Sequence, residues 1–234
     1  MKNITRLLLL LIIISTSTYS FLIGKYRIFP YEILQTIKWS LTDKIRKTGQ
    51  EITQFDLFTP DVDIVFVGDS VTAGGNWHDM FPNVRLANRG VGGETTREIA
   101  LRLDEISELT PRVVFLMAGI NDIYRNDNVD NIVDSFNDVV TTMTEVRSVE
   151  SIYLQSTLEC RKCGVGRLSE IKVLNARLET IANEYEHVHF VNLNQAFSDG
   201  NGILEQFSSD GIHLNPYGYE VWREVIEPYT LINQ

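Results

Sequence analysis

Residues 64–67, Ile-Val-Phe-Val, constrain this chain more than any other stretch. A fully apolar, β-branched run of this length leaves no polar face for water. It reads as a buried strand of the kind found in parallel sheets. The run stops at Gly68, and Ser70 follows two residues later. A serine there stands on a sharp turn at the carboxyl end of a strand, where open α/β sheets place their ligands. Ser70 is therefore a candidate nucleophile. Such a serine needs a base, an acid to orient the base, and donors for an oxyanion.

The remaining pattern alternates strand and helix signals. Residues 84–87 are a second strand candidate and run into Asn88-Arg89-Gly90-Val91-Gly92-Gly93-Glu94-Thr95-Thr96, a glycine-rich loop that opens a helix. Ile99, Leu103 and Ile106 recur at helical spacing as far as Leu109. Residues 112–118 form a third strand that ends at Gly119-Ile120-Asn121-Asp122. Ile132, Val133, Phe136, Val139, Val140 and Met143 make a core-facing helical stripe. Residues 152–154 predict a fourth strand, 168–185 a helix, 188–193 a fifth strand and 217–230 a terminal helix. Alternation of this kind predicts an open, mostly parallel sheet covered on both faces, a three-layer α/β/α fold.

The N-terminal quarter differs from the rest. Leu7 to Gly24 is uncharged and begins with eight consecutive Leu/Ile, after a short basic start. It reads either as a membrane anchor or as a cleaved signal segment. The anchor is favoured because cleavage would expose Phe21-Leu22-Ile23 and no alanine marks a cut. Residues 25–58 form a basic connector, partly helical, and residues 59–234 the catalytic domain. Residues 1–50 carry 8 Lys+Arg against 2 Asp+Glu, and residues 51–234 carry 13 against 29. The acidic domain excludes nucleic acid as an expected partner, because backbone binding needs a basic face. Lysines and arginines after the apolar segment lean against export. Short N-terminal apolar segments nevertheless usually export the domain attached behind them, so the domain is expected on the extracytoplasmic (periplasmic) side. Secretion after cleavage is the alternative.

The only two cysteines, Cys160 and Cys163, are spaced Cys-x-x-Cys. A local disulfide, free thiols, and metal or redox work all remain open. Among the histidines, His78, His187 and His189 are assigned to packing or surface roles. His213 has Asp210 three residues earlier, with Gly211 between them. A carboxylate there can take the Nδ1 proton's hydrogen bond and leave Nε2 for the serine. The Ser70 N–H, the Gly93 N–H in its glycine loop and the Asn121 side-chain amide are candidate oxyanion donors. Ser70, Gly93 and Asn121 each follow one of the first three strands, which puts them on one rim of a parallel sheet.

Gly-Asp-Ser-Val at 68–71, Asn-Arg-Gly-Val-Gly-Gly-Glu-Thr-Thr at 88–96, Gly-Ile-Asn-Asp at 119–122 and Asp-Gly-Ile-His-Leu-Asn at 210–215 occur in this order. In them the chain resembles the GDSL-type (SGNH) hydrolases over roughly residues 60–230. It is most similar to the platelet-activating-factor acetylhydrolase-like and small bacterial lysophospholipase/thioesterase branch. The resemblance implies a flavodoxin-like five-stranded parallel sheet and a serine esterase without metal or organic cofactor. By block matching it implies Ser70 as nucleophile, His213 as base, Asp210 as its orienter, and Ser70, Gly93 and Asn121 as the oxyanion hole. Val71 replaces the family's leucine at a position that need only be apolar.

The expected substrate is a short-chain or acetyl ester of a lipid or glycan. Transfer of the acyl group to an envelope glycan or lipid is the alternative. A metal reading would rest on Asp69, His78 and Asp79. A nucleotide-binding reading fails for want of Gly-x-Gly-x-x-Gly and a phosphate-binding lysine. The oligomeric state is not legible.

Overall fold

The computed structural model describes Phe55 and residues 60–231, all within the unit Gln54–Gln234. The expected membrane segment at 1–24, and the connector at 25–58 apart from Phe55, lie outside the described residues. Among the described residues, no helix is long and apolar enough to cross a membrane.

Five parallel strands form one sheet: β1 (Ile64–Gly68), β2 (Leu86–Gly90), β3 (Val113–Met117), β4 (Ser151–Gln155) and β5 (Val188–Val191). Their order is β2-β1-β3-β4-β5. All pairs are parallel, and the register sets Gly68 of β1 beside Gly90 of β2 and Met117 of β3. The expected fold, five parallel strands between two helical layers, is the fold observed.

Alternation along the central strands divides the core. Val65 and Val67 of β1, with Val114 and Leu116 of β3, face one layer; Ile64 and Phe66, with Val113 and Phe115, face the other. The first layer comprises α3 (Thr96–Ala100), α4 (Leu103–Ser107), α5 (Ile120–Tyr124), α6 (Val129–Glu145) and α7 (Gly164–Ala182). The α6 stripe read from the sequence is buried at all six positions. On the other face, α1 (Ser70–Ala73), α2 (Trp77–Met80), α8 (Asn194–Phe197) and α9 (Pro216–Ile226) cover the sheet. There Trp77 stacks on Phe66 with centroids 4.0 Å apart and meets Trp222 edge-on at 4.8 Å. Both tryptophans are at most 1% exposed, so each contributes most of its large apolar area to this core.

Several boundaries differ from the sequence reading. Strand β2 runs two to three residues later than 84–87 because its pairing with β1 continues to Gly90. The helix expected up to Leu109 is two short helices. The chain breaks at Leu101–Arg102, where Arg102 leaves helical geometry (φ −126°, ψ 25°). Its side chain turns back onto Glu94 and the Arg89 carbonyl. The terminal helix stops at Ile226 and tightens to a 3-10 turn over Glu227–Tyr229, where Pro228 cannot donate to the ladder.

Candidate active site

Ser70 opens α1 directly beyond β1. Asp69 is the cap of that helix, and its Oδ1 accepts from the Val71 N–H at 2.9 Å. As the first helical residue, Ser70 has no intrahelical acceptor for its own N–H. The four-residue helix is held from three sides. The Tyr219 hydroxyl donates to the Val71 carbonyl at 2.7 Å, and Trp77 Nε1 donates to the Thr72 carbonyl at 2.9 Å. Asn88 Nδ2 lies 3.2 Å from both the Thr72 and Ala73 carbonyls. Gly90 allows this close seating, since a Cβ there would lie 2.2 Å from the Ala73 nitrogen.

The fold brings His213 to this serine across 143 residues of chain, with Ser70 Oγ 3.0 Å from His213 Nε2. Asp210 Oδ2 sits 2.7 Å from His213 Nδ1, and Asp210 Oδ1 accepts from the N–H groups of Ile212 (2.9 Å) and His213 (2.8 Å). Partial burial pushes the Asp210 carboxyl up. The His213 bond and those two backbone donors outweigh it and hold the group well below the usual carboxylate range. Asp210 thus stays ionised and accepts from Nδ1, which leaves Nε2 able to take a proton from the serine.

The other candidate donors stand on the same rim. Asn121 lies in the first turn of α5, and its Nδ2 donates to the Glu94 carbonyl at 2.8 Å, leaving one amide proton for a ligand. Gly119, at φ +105°, makes the turn from β3 into that helix. A Cβ at Gly92 would lie 4.0 Å from the Ser70 Cβ, so the glycine loop abuts the serine. Gly93 itself, at φ +80°, lies ahead of the Thr95 cap of α3, not in the helix. The loop is braced by Arg125 Nη2, which donates to the Gly93 carbonyl at 2.8 Å, and by the Glu94 N–H bonded to Val91 O at 3.2 Å.

Several supporting residues escaped the sequence reading. Glu94 receives Arg102 Nε at 2.9 Å and Nη2 at 2.7 Å, which fixes the residue whose carbonyl orients Asn121. Thr157 Oγ1 donates to the Ala118 carbonyl at 2.6 Å, just before the Asn121 turn. Asn175 and Asn194 in turn hold the Thr157 backbone. These partners are far apart in sequence and give no local signal. The Thr95–Glu98 capping box was readable, because Thr-x-x-Glu is its pattern.

Two buried carboxyls neighbour the candidate residues in sequence, Asp69 before Ser70 and Asp122 after Asn121. Burial raises Asp69 to about 7, against the Val71 hydrogen bond. Burial likewise raises Asp122 to about 6, against its bonds from Thr96. Among the described residues no group of three or more His, Cys, Asp or Glu side chains could hold a metal ion, the Asp69, His78 and Asp79 set included. Cys160 and Cys163 are joined as a disulfide, with Cα atoms 5.7 Å apart.

Comparison with known proteins agrees with this fold. The family model described as GDSL-like Lipase/Acylhydrolase matches residues 66–221. The rat (Rattus norvegicus) platelet-activating factor acetylhydrolase IB subunit alpha1 is 20% identical over 164 residues, covering 67% of this chain and 70% of the relative. A GDSL-like lipase from Bacteroides thetaiotaomicron superposes with a TM-score of 0.67 at 23% identity, over 76% of this chain and 93% of that one. A catalytic mutant of an acetylxylan esterase from Geobacillus stearothermophilus gives a TM-score of 0.63 at 17% identity, over 74% and 95%. The two solved structures share the fold.

Proposed function

The chain belongs to the GDSL-like lipase/acylhydrolase family and is a carboxylic ester hydrolase, and on that premise we propose that it cleaves short acyl esters through Ser70, His213 and Asp210. The observation that carries this reading is the continuous relay from Ser70 Oγ to His213 at 3.0 Å and from His213 to Asp210 at 2.7 Å. Ser70 Oγ attacks the acyl carbonyl carbon while His213 Nε2 takes its proton. The oxyanion forms against the Ser70 N–H, the Gly93 N–H and the free proton of the Asn121 amide. The intermediate collapses, His213 protonates the departing alcohol, and the acyl group stays on Ser70. Water then attacks by the same route and releases the acid.

The acyl group proposed is a short one, acetyl above all. Acetyl esters appear in the names of the acetylhydrolase and acetylxylan esterase relatives. The alcohol part is a lipid or a glycan, reached by a domain tethered through residues 7–24 on the extracytoplasmic side. The uncharged run Leu7 to Gly24, with its eight leading Leu/Ile, supports the tether, and the Cys160–Cys163 disulfide supports an oxidising compartment.

The decisive experiment measures p-nitrophenyl acetate hydrolysis and covalent labelling by a fluorophosphonate. Ser70→Ala should abolish both, and full residual hydrolysis would overturn the proposal. A panel of acyl lengths on lysophospholipids and acetylated glycans, analysed with and without an acceptor, then separates hydrolysis from transfer.

A further inference from the structure

The Cys160–Cys163 loop has no part in the proposed chemistry, yet it touches the segment that carries the acid and the base. The turn over residues 208–214 is organised internally by Asp210 and Ser208. Ser208 Oγ accepts from the Gly211 N–H at 2.9 Å and lies 3.2 Å from Asp210 Oδ1. Two bonds reach this turn from the disulfide loop. The Arg161 N–H donates to the Gly211 carbonyl at 3.0 Å, and Lys162 Nζ donates to the Ser209 carbonyl at 3.0 Å. These are the carbonyls on either side of Asp210. Contact is close as well, since a Cβ on Gly211 would lie 3.3 Å from the Lys162 nitrogen.

The loop is itself anchored. Arg161 Nε donates to the Ile203 carbonyl at 2.6 Å, and Nη2 bonds to Gly202 O at 3.0 Å and pairs with Asp199 at 2.9 Å. A Cβ on Gly202 would lie 2.4 Å from the Arg161 Cα, so the two backbones are packed directly together. Cys160 and Cys163 are 1% and 9% exposed, and their bond closes the chain around Arg161 and Lys162. With the ring closed, the Arg161 N–H and the Lys162 stem leave the same short turn in a fixed relation. With it open, that relation rests on the side-chain anchors and on the backbone contacts with residues 202 and 203.

We propose that the disulfide-closed loop is a positioning element for the acid–base pair, holding both carbonyls that flank Asp210 so that His213 keeps its alignment to Ser70. The inference rests on the reading of Asp210 and His213 as that pair. Arg161 and Lys162 act here through Asp210 and touch no substrate. Reduction by a dithiol tests the dependence. One thiolate attacks a cysteine sulfur to give a mixed disulfide, and the second thiol displaces it. The dithiol ends as a cyclic disulfide, and Cys160 and Cys163 end as two thiols.

The experiment uses the full chain, oxidised and dithiol-treated, with the free thiols counted. Reduction should lower kcat on p-nitrophenyl acetate by roughly 10- to 100-fold, the scale of a small misplacement of catalytic groups, with KM little changed. Reoxidation should restore it. The reduced chain should also show faster amide hydrogen exchange in residues 208–214, by roughly tenfold, while the β1 and β3 amides stay protected. Lys162→Met should reproduce part of the kcat loss and Lys162→Arg should rescue it. In an Asp210→Asn background, reduction should cost little further activity, because the loop acts through that carboxylate. A reduced enzyme with full kcat and unchanged exchange overturns the inference. So does a loss of the same size in the Asp210→Asn background. An oxidised wild type without esterase activity would instead overturn the functional reading, and the exchange measurement would still decide whether the loop holds the turn.

Discussion

Replacing Asp69 by Asn should flatten the dependence of stability on pH. Asp69 is 1% exposed, and burial lifts its carboxyl from 3.8 to about 7. Between those values the folded protein keeps a proton that the unfolded chain has released. The folded state then binds more protons, so stability falls as pH rises, beginning near 4 and levelling off above 7. Between pH 5 and pH 8 this linkage removes about 3 kcal/mol through Asp69 alone. Asp122, raised to about 6, removes about 1 kcal/mol more over the same interval. The wild type should therefore lose about 4 kcal/mol of unfolding free energy between the two pH values, and Asp69→Asn only about 1 kcal/mol. The variant is suited to the comparison because asparagine keeps the Oδ1 that caps Val71. Urea unfolding followed by tryptophan fluorescence at pH 5 and pH 8 gives both numbers, with Trp77 and Trp222 buried against the sheet as reporters. An Asp69→Asn protein that loses as much stability as wild type would refute the assignment of the linkage to this residue.

Other substitutions test the site directly. Asn121→Ala should reduce kcat by about 100- to 1,000-fold with KM nearly unchanged, since its amide meets the charge only in the transition state; a loss confined to KM would reassign it to substrate binding. Asp210→Asn should lower kcat by about 10,000-fold while the fold melts normally, and retention of more than a tenth of the activity would remove Asp210 from the relay. A metal chelator should leave hydrolysis unchanged, and a loss restored by added metal would count against the serine mechanism.

What was legible in the sequence was local. β1 and β3 are apolar at every position but their edges, and the α6 stripe repeats over several turns, so periodicity alone finds them. Asp210 and His213 are three residues apart, and a turn of that length suffices to join them. The distant partners left no such trace. Arg102 sits in what reads as one helix, since Ile99, Leu103 and Ile106 keep helical spacing whether or not the backbone breaks between them. Its inward turn is visible only once Glu94 is seen opposite. Asn175 and Asn194 lie in separate helices, and nothing local tells that both close on Thr157. The rim that unites Ser70, Gly93 and Asn121 was inferred from topology, while the support beneath it is a matter of contacts across the fold.

The last helix has a consequence for the order in which the molecule becomes complete. Tyr219 grips the Val71 carbonyl and Trp222 fills the core against Trp77, both from α9. His213 precedes that helix by only three residues. Under the proposed mechanism, the serine, the glycine loop and Asn121 emerge during synthesis long before His213, and activity would wait until α9 docks. Regained activity in a refolding experiment would then time that docking and not the formation of the sheet.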